Sequence, residues 1–185
     1  MLKEILHNAE QRMLKAVESV RNELIKIRTG KATTALLDSV KVEAYGTFMP
    51  LNQVGTVSVV DAHSLAVTPW DKSMLHPIEK GIIAANLGLN PIVDANLVRV
   101  PIPALNEERR RELVKLTKKF GEEGKIAVRN IRRDENEALK KAEKAEHFSE
   151  DDRKRGEQDI QKLTDKFIKQ IDDLLAIKEK EIMEV

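Results

Sequence analysis

The sequence predicts an α+β protein: an elongated three-helix bundle with a small β-rich domain inserted after its first helix, L-shaped and hinged at the insertion. Three observations carry this. Apolar residues recur at intervals of three and four over three separate long stretches, each of which then has one face to bury. Between the first and second stretches the pattern changes to short alternating segments broken by Gly, Pro, Asn and Asp. Charged residues make up 34% and aromatics only 3%, which suits solvated helices with aliphatic seams better than an aromatic β core.

In the first stretch, Leu2, Leu6, Ala9, Met13, Val17, Val20, Leu24 and Ile27 define one helix over 2–27. Thr29-Gly30-Lys31 stops it, with Gly30 in the C′ position and Lys26 and Arg28 placed favourably near the negative helix end. Val40, Val42 and Ala44 then alternate with polar neighbours as a half-buried strand, and Tyr45-Gly46-Thr47 with Pro50 marks a turn. Residues 54–60 and 65–68 read as two strands joined across Asp61-Ala62-His63. Ser73 caps a helix over 74–87 that Gly88 ends, and 97–100 is a last strand before Pro101-Ile102-Pro103. From Asn106 a second long helix runs to about Glu146, roughly 60 Å at 1.5 Å per residue. Ser149 and Asp152 form a capping box, with Asp in place of Glu, for a third helix that presents Ile160, Leu163, Phe167, Ile171, Leu174 and Ile177. Packing the three amphipathic helices on one another gives the bundle, 1–30 with 105–185, and leaves 31–104 as the insertion. Its crossings lie at backbone punctuators: Thr29, Gly30 and Lys31 on one side, Pro101, Pro103 and Ala104 on the other. Short crossings of this kind permit bending and restrict independent tumbling.

Charge is unevenly distributed. Residues 105–133 carry ten Lys/Arg against five Asp/Glu, residues 134–185 eleven against sixteen, and the insertion sums to −1, so a net charge of +1 conceals a strong local field. On an ideal wheel with Arg110 at zero, Leu113, Leu116, Phe120, Ala127 and Ile131 fall at about 240–300°. Arg110, Arg111, Lys115, Lys118, Lys125, Arg129, Arg132 and Arg133 fall at about 0–140°. A cationic stripe opposite an apolar one suits a polyanion, nucleic acid first. The competing reading is a solvated face whose cations pair with Glu107, Glu108, Glu122 and Glu123.

Several kinds of chemistry find no support. Cysteine is absent, which excludes disulfides and thiolate zinc sites and allows a reducing compartment. No apolar run approaches the roughly 20 residues a membrane span requires. The acid-bearing N-terminus resembles neither a secretory signal nor a transit peptide. His7, His63, His76 and His147 share no metal-ligand spacing and read as surface or loop residues. No phosphate-binding Gly-rich loop is visible. Trp70 and Tyr45 are read as core of the small domain in preference to base-stacking residues. Gly121 and Gly124 sit inside the long helix at a cost of roughly 1 kcal/mol each against Ala, without a reason in the sequence. A mechanical RNA-binding factor leads, a protein-interaction adaptor follows, and an enzyme is the weakest reading.

Six motifs in order, KIRTGKA (26–32), YGT (45–47), NLGLNP (86–91), RVPIPALNEERRREL (99–113), AVRNIRRDEN (127–136) and IQKLTD (160–165), make the chain resemble bacterial ribosome recycling factor from end to end. That resemblance implies a three-helix bundle hinged to a small β/α/β domain. It implies a cytoplasmic, monomeric, non-enzymatic protein without cofactor or membrane attachment. Such a protein binds large-subunit rRNA of the post-termination ribosome and, with elongation factor G and GTP hydrolysis on that partner, separates the subunits. The family's key arginines correspond by motif to Arg110, Arg129 and Arg132, and the same surface extends to Arg133, Arg28 and Lys31. Position 31 is Lys where many members carry Arg, so a point charge replaces a planar fork there.

Overall fold

The computed structural model describes residues 1–145 and 147–184. The chain divides into two compact units, Met1–Arg28 with Glu107–Val185, and Thr29–Asn106.

The helical unit holds α1 (Leu2–Ile25), α3 (Glu107–Lys144) and α4 (Glu150–Met183), each packed against the other two. Ala9, Met13, Val17, Val20 and Leu24 form the buried seam of α1. That helix ends at Ile25, with Lys26 still right-handed as its C-cap, so Gly30 does not terminate it. The end expected for α3 at Glu146 lies outside the described residues. The Ser149 capping box forms: its hydroxyl accepts from the Asp152 N–H at 3.2 Å, and the Asp152 carboxylate accepts from the Ser149 N–H at 3.3 Å. Two orphan donors at the start of α4 are satisfied in this way.

The seam of α3 is not where its aliphatic residues point. Its buried residues are Leu113, Thr117, Gly121, Gly124, Val128, Ile131, Glu135, Leu139 and Ala142, while Leu116 is exposed. On the wheel this stripe spans about 300° to 20°, some 70° from the centre that the aliphatics alone define. Two glycines, a threonine and a glutamate displace it. Gly121 and Gly124 lie where a Cβ would overlap Leu175 of α4 and Val20 of α1 respectively, so the missing side chains allow the close approach of both neighbours. Thr117 and Thr164 enter the core with their hydroxyls donating to the carbonyls of Leu113 and Ile160, each at 2.8 Å. In α4 the exposed Ile177 leaves the predicted seam, which continues through half-buried Leu175 and Lys178 to buried Ile182.

Glu135 is only 4% exposed. Its Oε1 accepts from Asn8 at 2.6 Å and from Arg12 at 2.9 Å, and Arg12 also donates to Asp134 at 2.8 Å. Arg12 is thereby held above its ordinary guanidinium range, chiefly by the hydrogen bond to Asp134 and then by that to Glu135. A buried carboxylate accepting two hydrogen bonds, one from a cation, sets the register of α1 on α3.

The second unit contains an antiparallel hairpin of β1 (Lys41–Ala44) and β2 (Thr47–Pro50). It also contains α2 (Leu75–Ala84) and a four-stranded antiparallel sheet. The sheet's strands are β3 (Gly55–Asp61), β4 (Ser64–Pro69), β5 (Ile92–Val93) and β6 (Val98–Pro101), in spatial order β3-β4-β6-β5. β5, with two residues, is too short to register in the sequence, and β2, whose Thr47 and Pro50 read as a turn, is instead a strand paired along all of β1. Tyr45 and Gly46 both have positive φ, 53° and 83°, as a two-residue hairpin turn of type I′ requires. Asp71, rather than Ser73, caps the entry to α2: its carboxylate accepts from the Ser73 N–H at 3.0 Å, and a 3-10 turn over Lys72–Met74 precedes the helix. The helix stops at Ala84, where Asn86 and Gly88 take up left-handed backbone at φ 58° and 71°. Val42, Leu65, Val67, Ile78, Ile82, Val98 and Val100 form an aliphatic core.

That core excludes the two aromatics expected in it. Trp70 is 69% and Tyr45 73% exposed. Tyr45 donates its hydroxyl to Asp71 at 3.1 Å, bracing the hairpin tip against the entry to α2. The Asp71 carboxyl is lowered mainly by the Ser73 N–H, and its hydrogen bond to Tyr45 raises that phenol. With Phe48 also 73% exposed, small aliphatics fill this interior and the aromatics face solvent.

Candidate nucleic-acid interface

Helix α3 carries Arg110, Arg129, Arg132 and Arg133 on one element. Arg132 and Arg133 lie three and four residues after Arg129, so each is its neighbour on the surface. Arg110 lies about 33 Å from Arg132 along an ideal helix axis. The two ends therefore meet different parts of any extended anion.

Hydrogen bonding divides these cations. Arg109 pairs with Glu112 at 2.8 Å, Arg111 with Glu107, Lys125 with Asp172 on α4, and Arg129 with Glu122 at 3.4 Å. Each shares its field with a carboxylate. Arg132 instead donates to the neutral amide oxygen of Gln161 on α4 at 3.2 Å, and Arg133 to that of Asn130 at 3.3 Å. Arg110 has a buried Nε without a hydrogen-bond partner. The solvated-face reading thus holds for Arg111 and Arg129, while Arg109 and Lys125 pair with other carboxylates; Arg110, Arg132 and Arg133 have no carboxylate partner among the described residues.

Arg110 also corrects the wheel. Its azimuth falls inside the true buried stripe, and it is half-buried rather than fully exposed. A half-buried guanidinium with one unsatisfied N–H has an unmet hydrogen-bonding demand of about 1–3 kcal/mol.

Arg28 is an exposed residue of the helical unit and Lys31 an exposed residue of the other. Thr29, Gly30, Lys31, Pro101, Pro103 and Ala104 all belong to the second unit. Gly30 has φ 77°, and a Cβ there would stand 3.3 Å from Leu105 Cγ. His63, exposed as expected, donates from Nδ1 to the Gly30 carbonyl at 3.0 Å, since a carbonyl only accepts. The His63 carbonyl accepts from the Ile102 N–H at 2.7 Å, and the Ala62 carbonyl from Ala32 at 2.8 Å. The β3–β4 turn therefore ties down both the entering and the leaving chain. Pro101 closes β6 opposite Ser64, because it accepts a strand end but cannot donate.

Glu135 and Gln161 were invisible as site-shaping residues in the sequence. The only signal was the i,i+4 spacing of Gln161 and Asp165 in IQKLTD. Among the described residues no group of three His, Asp or Glu is placed to hold a metal ion, and no helix is long and apolar enough to cross a membrane.

A family model described as ribosome recycling factor matches residues 20–183. The chain is 55% identical to a ribosome-recycling factor of Symbiobacterium thermophilum, with both proteins covered completely. It is 55% identical to one from Chlorobium limicola, over 100% of this chain and 99% of the relative. A solution structure of a ribosome recycling factor superimposes with a TM-score of 0.76 at 46% identity, covering 100% of this chain and 98% of that one. A second match has a TM-score of 0.64 at 44% identity with both chains fully covered; it comes from models for the T. thermophilus ribosome recycling factor and the E. coli elongation factor G bound to the E. coli post-termination complex. A family match across nearly the whole length, over a three-helix unit with a separate small β unit, makes this chain a member of the ribosome recycling factor family.

Proposed function

We propose that this protein recycles ribosomes. It binds the post-termination ribosome through large-subunit rRNA and, with elongation factor G hydrolysing GTP, separates the subunits for a new round of translation. It works as a cytoplasmic monomer and performs no chemistry of its own. The observation that carries the RNA-binding part is the set of α3 guanidiniums that have no carboxylate partner among the described residues: Arg110, Arg132 and Arg133. Arg110, Arg132 and Arg133 can each take a phosphate at their outer guanidinium N–H groups without displacing a carboxylate. Arg129 exchanges Glu122 for phosphate at some cost, and Arg28 and Lys31 add charge at the edges. The small unit, tied at the Asp61–His63 turn, is the body on which the motor acts, and the two crossings serve as the hinge.

Co-sedimentation with purified large subunits across a salt series tests this reading. The slope of log K against log salt is expected to steepen by about 0.7–0.9 per phosphate neutralised. A flat slope would instead indicate an adaptor held by apolar contacts and would overturn the assignment.

A further inference from the structure

The IQKLTD segment places Ile160 and Thr164 in the bundle core. Two polar residues of the same segment, Gln161 and Asp165, face outward one helical turn apart. Gln161 donates from Nε2 to Asp165 Oδ1 at 2.9 Å, and its Oε1 accepts from Arg132 Nη1 at 3.2 Å. We propose that Gln161 and Asp165 are positioning residues that reach from α4 to hold the Arg132 guanidinium in its phosphate-binding pose. This rests on the reading of Arg132 as an rRNA contact.

The chemistry admits one arrangement. An ionised carboxylate only accepts, so Asp165 draws the NH2 end of the Gln161 amide to itself. The amide oxygen is thereby turned toward Arg132, which only donates. Both demands agree, and the amide has no equally good flipped state. The holding group is also neutral. A carboxylate in its place would order the guanidinium but repel an incoming phosphate, as Glu122 does beside Arg129. An amide orders without neutralising, and it uses one of five guanidinium N–H donors, leaving the rest for the ligand. A long side chain held in place before binding loses less freedom on binding, a saving of roughly two- to tenfold in affinity.

The test measures large-subunit affinity of the full-length protein at several salt concentrations. Gln161→Leu removes the acceptor. Asp165→Ala removes the acceptor that orients the Gln161 amide, so that Gln161 is free to swing away from Arg132. Each is expected to weaken binding roughly two- to tenfold with an unchanged unfolding transition. The Gln161→Leu salt slope should match the unmodified protein, since no phosphate contact is lost, whereas Arg132→Ala should flatten it by about one contact. In an Arg132→Ala background neither substitution should weaken binding further. If both bind normally while Arg132→Ala is impaired, Arg132 acts unaided and the positioning role is wrong. Losses that persist undiminished without Arg132 would refute it as well. If Arg132→Ala itself binds normally, the rRNA reading of Arg132 fails first, and this proposal with it.

Discussion

Two glycines one helical turn apart on α3 should respond oppositely to the same change. Gly→Ala inside a helix gains about 1 kcal/mol in propensity. At Gly124 the new methyl overlaps Val20 Cγ2 and lies 3.3 Å from Ile171 Cδ1. Val20 is buried and β-branched, with essentially one helical rotamer, so it cannot turn away. Overpacking of this kind costs about 1–3 kcal/mol, and an overlap with a stiff neighbour belongs in the upper half of that range. Gly124→Ala is therefore expected to destabilise the helical unit by about 1–2 kcal/mol net. At Gly121 the overlap is with Cδ1, Cδ2 and Cγ of Leu175, a half-buried side chain that, unlike a β-branched one, has more than one helical rotamer. That adjustment costs about 0.5–1.5 kcal/mol, which the propensity gain offsets, so Gly121→Ala should lie within about 0.5 kcal/mol of neutral. Urea unfolding followed by far-UV circular dichroism reads both. A Val20→Ala, Gly124→Ala double variant should recover about 1 kcal/mol through favourable coupling, because the methyl then has space. If Gly124→Ala is as stable as Gly121→Ala, or if the double variant shows no coupling, close packing is not the reason for these glycines.

Arg132→Ala should weaken large-subunit binding by about 1.5–3 kcal/mol and Arg129→Ala by less, because Arg129 already shares its charge with Glu122; equal losses in an affinity titration would contradict that division. Arg132→Lys should rescue only partly in the same titration, since an ammonium lacks the planar fork. Arg12→Ala leaves Glu135 buried with Asn8 as its remaining partner and should cost about 1–3 kcal/mol in thermal or urea unfolding, whereas loss of an ordinary surface pair costs under about 1 kcal/mol. Asp71, lowered by the Ser73 N–H, contributes stability that is present above its unfolded pKa and is lost as pH falls through its depressed folded pKa; a carboxyl NMR titration placing it at or above an ordinary aspartate would contradict the cap. Replacing 31–104 by a short flexible linker should leave a helical protein that pellets with large subunits but fails to split ribosomes; a folded bundle that does not pellet would move recognition into the small unit.

The division into long helices and a β-rich insertion was legible because periodicity and Gly/Pro punctuation are local properties of the chain. The Ser149 capping box was legible for the same reason: its two partners are three residues apart. Helix ends were less so. Gly30 looks like a terminator, yet α1 stops at Ile25, and the left-handed glycine instead lets the chain pack under Leu105. Tyr45 and Trp70 were misplaced because aromatic residues are usually buried. Here aliphatics from β1, β4, β6 and α2 already fill the small core, and Asp71 holds the Tyr45 hydroxyl outside it.

The sequence by itself determined how many helices form and that α3 is the cationic element. Each of these depends on residues close together along the chain. Tertiary structure alone decided which face of α3 is buried, because that depends on where α1 and α4 approach, and the closest approach is at residues with no side chain or a small one. It alone decided which cations are paired with a carboxylate: Lys125 and Arg132 meet α4, one at Asp172 and the other at Gln161, and nothing near either residue in sequence distinguishes a carboxylate partner from an amide. A field that reads as uniform along the helix is therefore divided, by contacts between residues far apart in the chain, into cations already neutralised and cations left for a ligand.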